Sequence, residues 1–107
     1  KAILVGRLLE DNGICHFEEP CPYWELEWTK QVTDALKLDV TGGEQDCDLS
    51  TWKRIIEMRA VDVVQPDVCY LGGLTRTLKV AEMHARPESP AHLTQPTSPW
   101  SLFSHST

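Results

Sequence analysis

Three short apolar runs, each followed by a longer amphipathic stretch, constrain most strongly what this chain can become. The runs cover residues 14–18, 39–43 and 61–65. Each has strand length, whereas the segments around them carry apolar residues at helical spacing. The first such segment is 1–11, with Ile3, Leu4, Val5, Leu8 and Leu9 set between charges. Asp11-Asn12-Gly13 stops it, and Gly13 suits a left-handed C-cap. The second is 23–37, with Trp24, Trp28, Val32, Ala35 and Leu36 near one face. The third, 49–58, follows Asp48 as N-cap and turns Trp52, Ile55, Ile56 and Met58 inward. The last opens at Leu71-Gly72-Gly73-Leu74-Thr75, with Leu74, Leu78, Val80, Ala81 and Met83 as its inward face. The order α-βα-βα-βα with short connections predicts parallel strands joined by right-handed crossovers. A doubly wound sheet and a (β/α)8 barrel both satisfy that order.

The residues at the ends of the runs decide between them. Cys15-His16-Phe17-Glu18-Glu19-Pro20 ends in two carboxylates, and the proline cannot continue a strand's hydrogen-bond ladder. The next run ends on Glu44 and the third on Asp67, 26 and 23 residues further on. Acids at the C-terminal ends of successive parallel strands occupy the station where barrel enzymes carry their chemistry. The expected fold is therefore α/β: a partial (β/α)8 TIM-barrel of about three consecutive βα units, with an irregular C-terminal tail. Oxygen-only donors converging on a barrel mouth suit a hard divalent ion, Mg²⁺ above all. Taken singly, Glu18, Glu44 or Asp67 reads better as a helix cap or an ion-pair partner than as a ligand. Three at one station favour metal or acid–base chemistry.

Composition removes other classes. The net charge is −6, and the ten Lys and Arg form no basic patch, which argues against nucleic acid as partner. No run approaches the ~20 apolar residues of a membrane span, and no signal peptide is visible, so no membrane contact and a cytoplasmic location are expected. The four cysteines show no zinc-like spacing and read as reduced, structural thiols, with Cys15 and Cys69 in or beside strands. Gly72-Gly73 before a helix reads either as a tight turn or as an anion cradle, the basis of an alternative reading as an α/β phosphate-binding module. After Met83 all periodicity stops. Residues 84–107 hold four of the seven prolines and three of the four histidines, the composition of an irregular tail.

The motifs FEEP, GGEQ and QPD at these spacings, with LGGLT following, resemble the barrel domain of the mandelate racemase and muconate lactonising group of the enolase superfamily. The likeness runs from Lys1 to Met83, which sets the expected boundary of the barrel-domain fragment at 1–83. It implies a Mg²⁺-dependent lyase or isomerase that removes a proton alpha to a carboxylate, with the ion stabilising the enediolate, as in sugar-acid dehydratases and racemases. On the family pattern Glu18 and Glu44 are metal ligands. Asp67 orients a catalytic histidine on the following strand, and Glu19 supports the site. The resemblance also implies parts not seen here: the capping domain, the Lys-x-Lys strand and the strand with the first metal ligand. A piece of this kind is expected to lack turnover and to be a poor folder alone or a self-associating one, with a non-catalytic remnant as the competing reading. Read one nucleotide early, permitted codons of the tail spell a TPHSAN-type segment, with Ala91-His92-Leu93-Thr94 yielding Thr-Pro-His. Residues 84–107 are therefore expected to be out-of-frame translation, and His84, His92 and His105 are not candidate bases.

Overall fold

In the computed structural model, residues 1–86 are described. In chain order the elements are α1 (Ala2–Asp11), β1 (His16–Glu18), α2 (Leu26–Ala35), β2 (Asp39–Gly42), α3 (Leu49–Glu57), β3 (Val63–Val64), α4 (Val68–Leu71) and α5 (Leu74–Ala85). The three strands form one parallel sheet in the order β1-β2-β3. The helix–strand alternation thus appears as expected, with shorter strands and one additional helix. No helix among the described residues is long and apolar enough to cross a membrane. Beyond Met83 the helix α5 continues to Ala85 with Arg86 as its C-cap, so the tail's first two residues are helical, and residues 87–107 lie outside the described residues.

Register gives the sheet two unlike faces. Phe17 pairs with Val40 and Gly42 with Val64, so these side chains share the face covered by helices. There Val40 and Val64 meet Leu26, Val32, Trp52, Ile55, Leu71 and Val80 in one buried cluster. His16 pairs with Asp39, Glu18 with Thr41, and Thr41 with Val63, which places a mostly polar set on the opposite face. A parallel sheet in an α/β protein ordinarily buries both faces in apolar side chains. This one is apolar on one side only.

Two helices turn a different face inward from the one their apolar residues mark. In α2 the buried positions are Leu26, Thr29, Val32 and Thr33, while Trp24 and Trp28 are exposed. The threonines are buried because their hydroxyls are satisfied locally. Thr29 Oγ1 donates to Glu25 O (3.0 Å), and Thr33 Oγ1 shares its one proton between Thr29 O (3.0 Å) and Ala60 O (2.5 Å). Tyr23 and Trp24 precede the helix, in a turn closed by Glu25 N–H on Pro22 O, and their rings pack edge to face. In α5 the buried set is Thr77, Val80, Ala81 and His84, with Leu74 and Leu78 exposed. Elsewhere the local signals hold: Gly13 is left-handed (φ 75), and Asp48 caps α3 through Ser50 N–H.

The ladder of β3 is shorter than its apolar run because Asp62 interrupts it. Asp62 is 8% exposed. Its N–H donates to Val40 O (2.7 Å), and its Oδ2 accepts from Val40 N–H (2.8 Å). Burial pushes the Asp62 carboxyl above its usual range, against the opposing pull of the Val40 amide and Arg59. Asp62 is thus a buried acceptor for the Val40 amide that also pairs with Arg59 (3.3 Å). Asp62→Ala is expected to cost about 1–3 kcal/mol by orphaning the Val40 amide, and Asp62→Asn clearly less. Urea midpoints test this; equal losses would assign the effect to the charge.

Candidate functional site

The chain reverses conformation between two adjacent acids. Glu18 is the last residue of β1, lies opposite Thr41 and is exposed on the polar face. Glu19 is left-handed (φ 43), a rare geometry for a residue with a side chain, and its N–H donates to Thr41 O (2.9 Å). That turn sends its side chain toward Gly42, away from Glu18. Glu19 Oε2 accepts from Gln45 Nε2 (3.0 Å), and Oε1 is buried with no hydrogen-bond partner. The two acids of FEEP therefore have different environments, Glu18 exposed and Glu19 partly buried.

Glu44 lies two residues past the end of β2, in a turn closed by Asp46 N–H on Gly43 O (3.0 Å). Gly43 is left-handed (φ 110), and any side chain there would collide with the Trp52 ring. The Trp52 indole is fully buried and donates Nε1–H to Asp46 O (2.9 Å). Asp46 is itself buried. Desolvation, reinforced by the charge of Glu19, raises its carboxyl to about 6. Asp67 lies three residues past β3 and caps α4, with Oδ1 accepting from Cys69 N–H (2.8 Å) and Tyr70 N–H (3.0 Å). Arg76 of α5 donates Nε–H to Leu71 O (2.6 Å) and Nη2–H to Cys47 O (2.9 Å).

All three acids thus follow the C-terminal ends of parallel strands, at increasing distance. Glu18 is in its strand, Glu44 two residues beyond and Asp67 three beyond, the last engaged as a cap. Neither the Glu18 nor the Glu44 carboxylate has a hydrogen-bond or ion-pair partner among the described residues. Two free carboxylates fit a hard cation that retains waters, although no group of three His, Cys, Asp or Glu among the described residues is arranged to hold a metal. A cleft of about 1020 Å³ runs along the polar sheet face past His16, Asp39, Thr41 and Gln65; Glu18 and Glu44 do not line it. Gly72 N–H and Gly73 N–H donate to Cys69 O and Val68 O, so both glycine amides are engaged in ending α4. That is the tight-turn reading of the pair. All four cysteines are free thiols, and Cys15, Cys47 and Cys69 are exposed rather than packed in the core. Cys69 lies in α4.

A parallel sheet with helices packed on one face and acids following its strands defines a domain of the α/β class. Residues 1–103 match the family model described as enolase C-terminal domain-like, and the chain belongs to that family. It is 34% identical over 83 residues to arabinonate dehydratase of Saccharolobus solfataricus, covering 78% of this chain and 22% of that protein. Its fold is shared with a crystal structure from Roseobacter denitrificans assigned as a racemase (73% identity, TM-score 0.76, 78% of this chain and 23% of that one). It is also shared with an L-talarate/galactarate dehydratase mutant liganded with Mg and L-glucarate (31% identity, TM-score 0.74, 78% and 21%). The chain spans about a fifth of the length of these relatives. Its relatives include sugar-acid dehydratases and members of the mandelate racemase and muconate lactonising group, as the motifs imply.

Proposed function

We propose that this chain carries about three consecutive βα units of a (β/α)8 barrel, from a cytoplasmic, Mg²⁺-dependent enzyme that removes a proton alpha to the carboxylate of a sugar acid. The observation that carries the reading is the pair Glu18 and Glu44, two unpartnered carboxylates after consecutive parallel strands. In this reading both bind the ion through oxygen. When bound, Mg²⁺ supplies positive charge for a substrate carboxylate and for the negative charge that develops as the proton leaves. Glu19, tied to Gln45, holds the turn after β1. Asp67 spends Oδ1 on its helix cap and keeps Oδ2 to orient a histidine from a further strand.

Among the described residues no lysine or histidine stands in the segments just past the strands, where a base would act. None of its lysines, at 1, 30, 37, 53 and 79, lies on a segment following a strand end. No turnover of galactarate or arabinonate is therefore expected from these 107 residues, consistent with a remnant whose site is partial. We also propose that 84–107 is out-of-frame translation; the nucleotide sequence across Met83 decides that, and codons that fail to spell TPHSAN when shifted would end the idea.

Metal binding tests the site itself. Titration with Mn²⁺, followed by water-proton relaxation, is expected to show one site competed by Mg²⁺. Glu18→Gln and Glu44→Gln should each weaken it by at least about tenfold, since such an ion is held by only one or two carboxylates. A chain that binds no Mn²⁺, or binds it equally after both substitutions, would remove the proposal.

A further inference from the structure

We infer that Arg76 is a positioning residue: one guanidinium laces the segment carrying Glu44 to the helix capped by Asp67, and so sets where the Glu44 carboxylate stands. The inference rests on the reading of Glu18 and Glu44 as metal ligands.

The sheet does not hold Glu44 by itself. The last ladder bond on that side is Gln65 N–H to Gly42 O (2.9 Å), two residues before Glu44. Beyond Gly42, side chains take over. Trp52 fastens the turn from below at Asp46 O, and Gln45 ties it sideways to Glu19 after β1. Arg76 closes the other side, reaching Cys47 O with Nη2 and Leu71 O with Nε. Cys47 is three residues past Glu44, and Leu71 ends the helix that Asp67 caps. The three acid-bearing segments are thereby joined in series.

The form of the contact is unusual for an arginine that serves only the surface. Among the described residues it makes no ion pair, and two of its N–H groups meet backbone carbonyls of two different segments. It also sits in the first turn of α5, where the positive end of the helix disfavours a cation. A fixed fork that reaches two acceptors at once is what arginine supplies and lysine does not.

Electrostatics and geometry predict opposite signs for its removal. Deleting a cation near a cation site strengthens metal binding by charge alone. If Arg76 sets the position of Glu44, deleting it weakens binding instead. The experiment is Mn²⁺ affinity by water-proton relaxation on the 107-residue chain, for wild type, Arg76→Met, Arg76→Lys and Glu44→Gln. Arg54→Met serves as a control that removes the same charge at the exposed Glu27 pair. Arg76→Met is expected to weaken Mn²⁺ by about tenfold or more, as outer-shell changes do. Arg76→Lys should recover at most part of that loss, and Arg54→Met should stay within about twofold of wild type, a surface ion pair having little effect of its own. In a Glu44→Gln background, Arg76→Met should add nothing, which a merely structural loss would not reproduce. Circular dichroism confirms folding of each variant, and Arg76→Lys carries the comparison where Arg76→Met does not fold. Unchanged or tighter binding in Arg76→Met, or full additivity with Glu44→Gln, overturns the inference while leaving the metal site intact. Absence of any Mn²⁺ binding by wild type removes both together.

Discussion

Trp52→Ala is expected to destabilise the chain by about 3–5 kcal/mol, the range for deleting a fully buried tryptophan. The side chain is 0% exposed and lies between Gly43 and the core cluster. Its removal opens a cavity beneath the turn and orphans the carbonyl of Asp46, which now accepts the indole N–H at 2.9 Å. A domain this size has roughly 5–15 kcal/mol in total, so the variant should be largely unfolded at modest urea. Trp52→Phe keeps most of the packing and loses the hydrogen bond, and should fall between the two. Urea unfolding followed by far-ultraviolet circular dichroism gives the measurement. A loss under about 1 kcal/mol for Trp52→Ala would mean that the turn after β2 is not held from the core, because such a loss is small for any buried aromatic.

Lowering the pH from 7 to 4.5 in the absence of metal should stabilise the chain, the reverse of ordinary acid denaturation. Burial raises the Asp46 carboxyl to about 6, well above its value in an unfolded chain. The folded state therefore binds the proton more tightly. Its contribution is complete below about pH 4 and is lost as pH rises through about 6. Two units correspond to about 3 kcal/mol between those limits. Asp62, also raised by burial, acts in the same direction, while Asp48, lowered by its bonds to Ser50 and Thr51, acts in the opposite one. Asp46→Asn should flatten most of the slope, with higher stability at neutral pH than the parent. A urea midpoint that falls steadily from pH 7 to 4.5 in the parent would contradict the placement of Asp46.

Local chemistry was legible in the amino-acid order, and satisfaction at a distance was not. Gly13, the Asp48 cap and the acid-then-proline ending of β1 each act within a few residues, so their type and spacing identify them. The faces of α2 and α5 were misread because hydropathy counts threonine as polar. Thr29, Thr33 and Thr77 bond carbonyls one turn back and then pack as apolar groups. The exposed Trp24, Trp28, Leu74 and Leu78 complete the error. Helix α4 is four residues long, too short to show a period, and its cap Asp67 was visible only as an acid after a strand. That Glu18, Glu44 and Asp67 stand at or just past strand ends was legible from their spacing. Asp46 and Arg76 were not: one is defined by burial beside Glu19, the other by carbonyls five and twenty-nine residues away.

The exposed thiols give the molecule built-in reporters. Cys47 sits in the segment that Arg76 grips and Cys69 in the helix that Asp67 caps, yet both residues are exposed. Cys15 lies before β1, at the opposite end of the sheet. Alkylation rates at these native positions therefore read the looseness of two acid-bearing segments against a remote internal standard, with no engineered label.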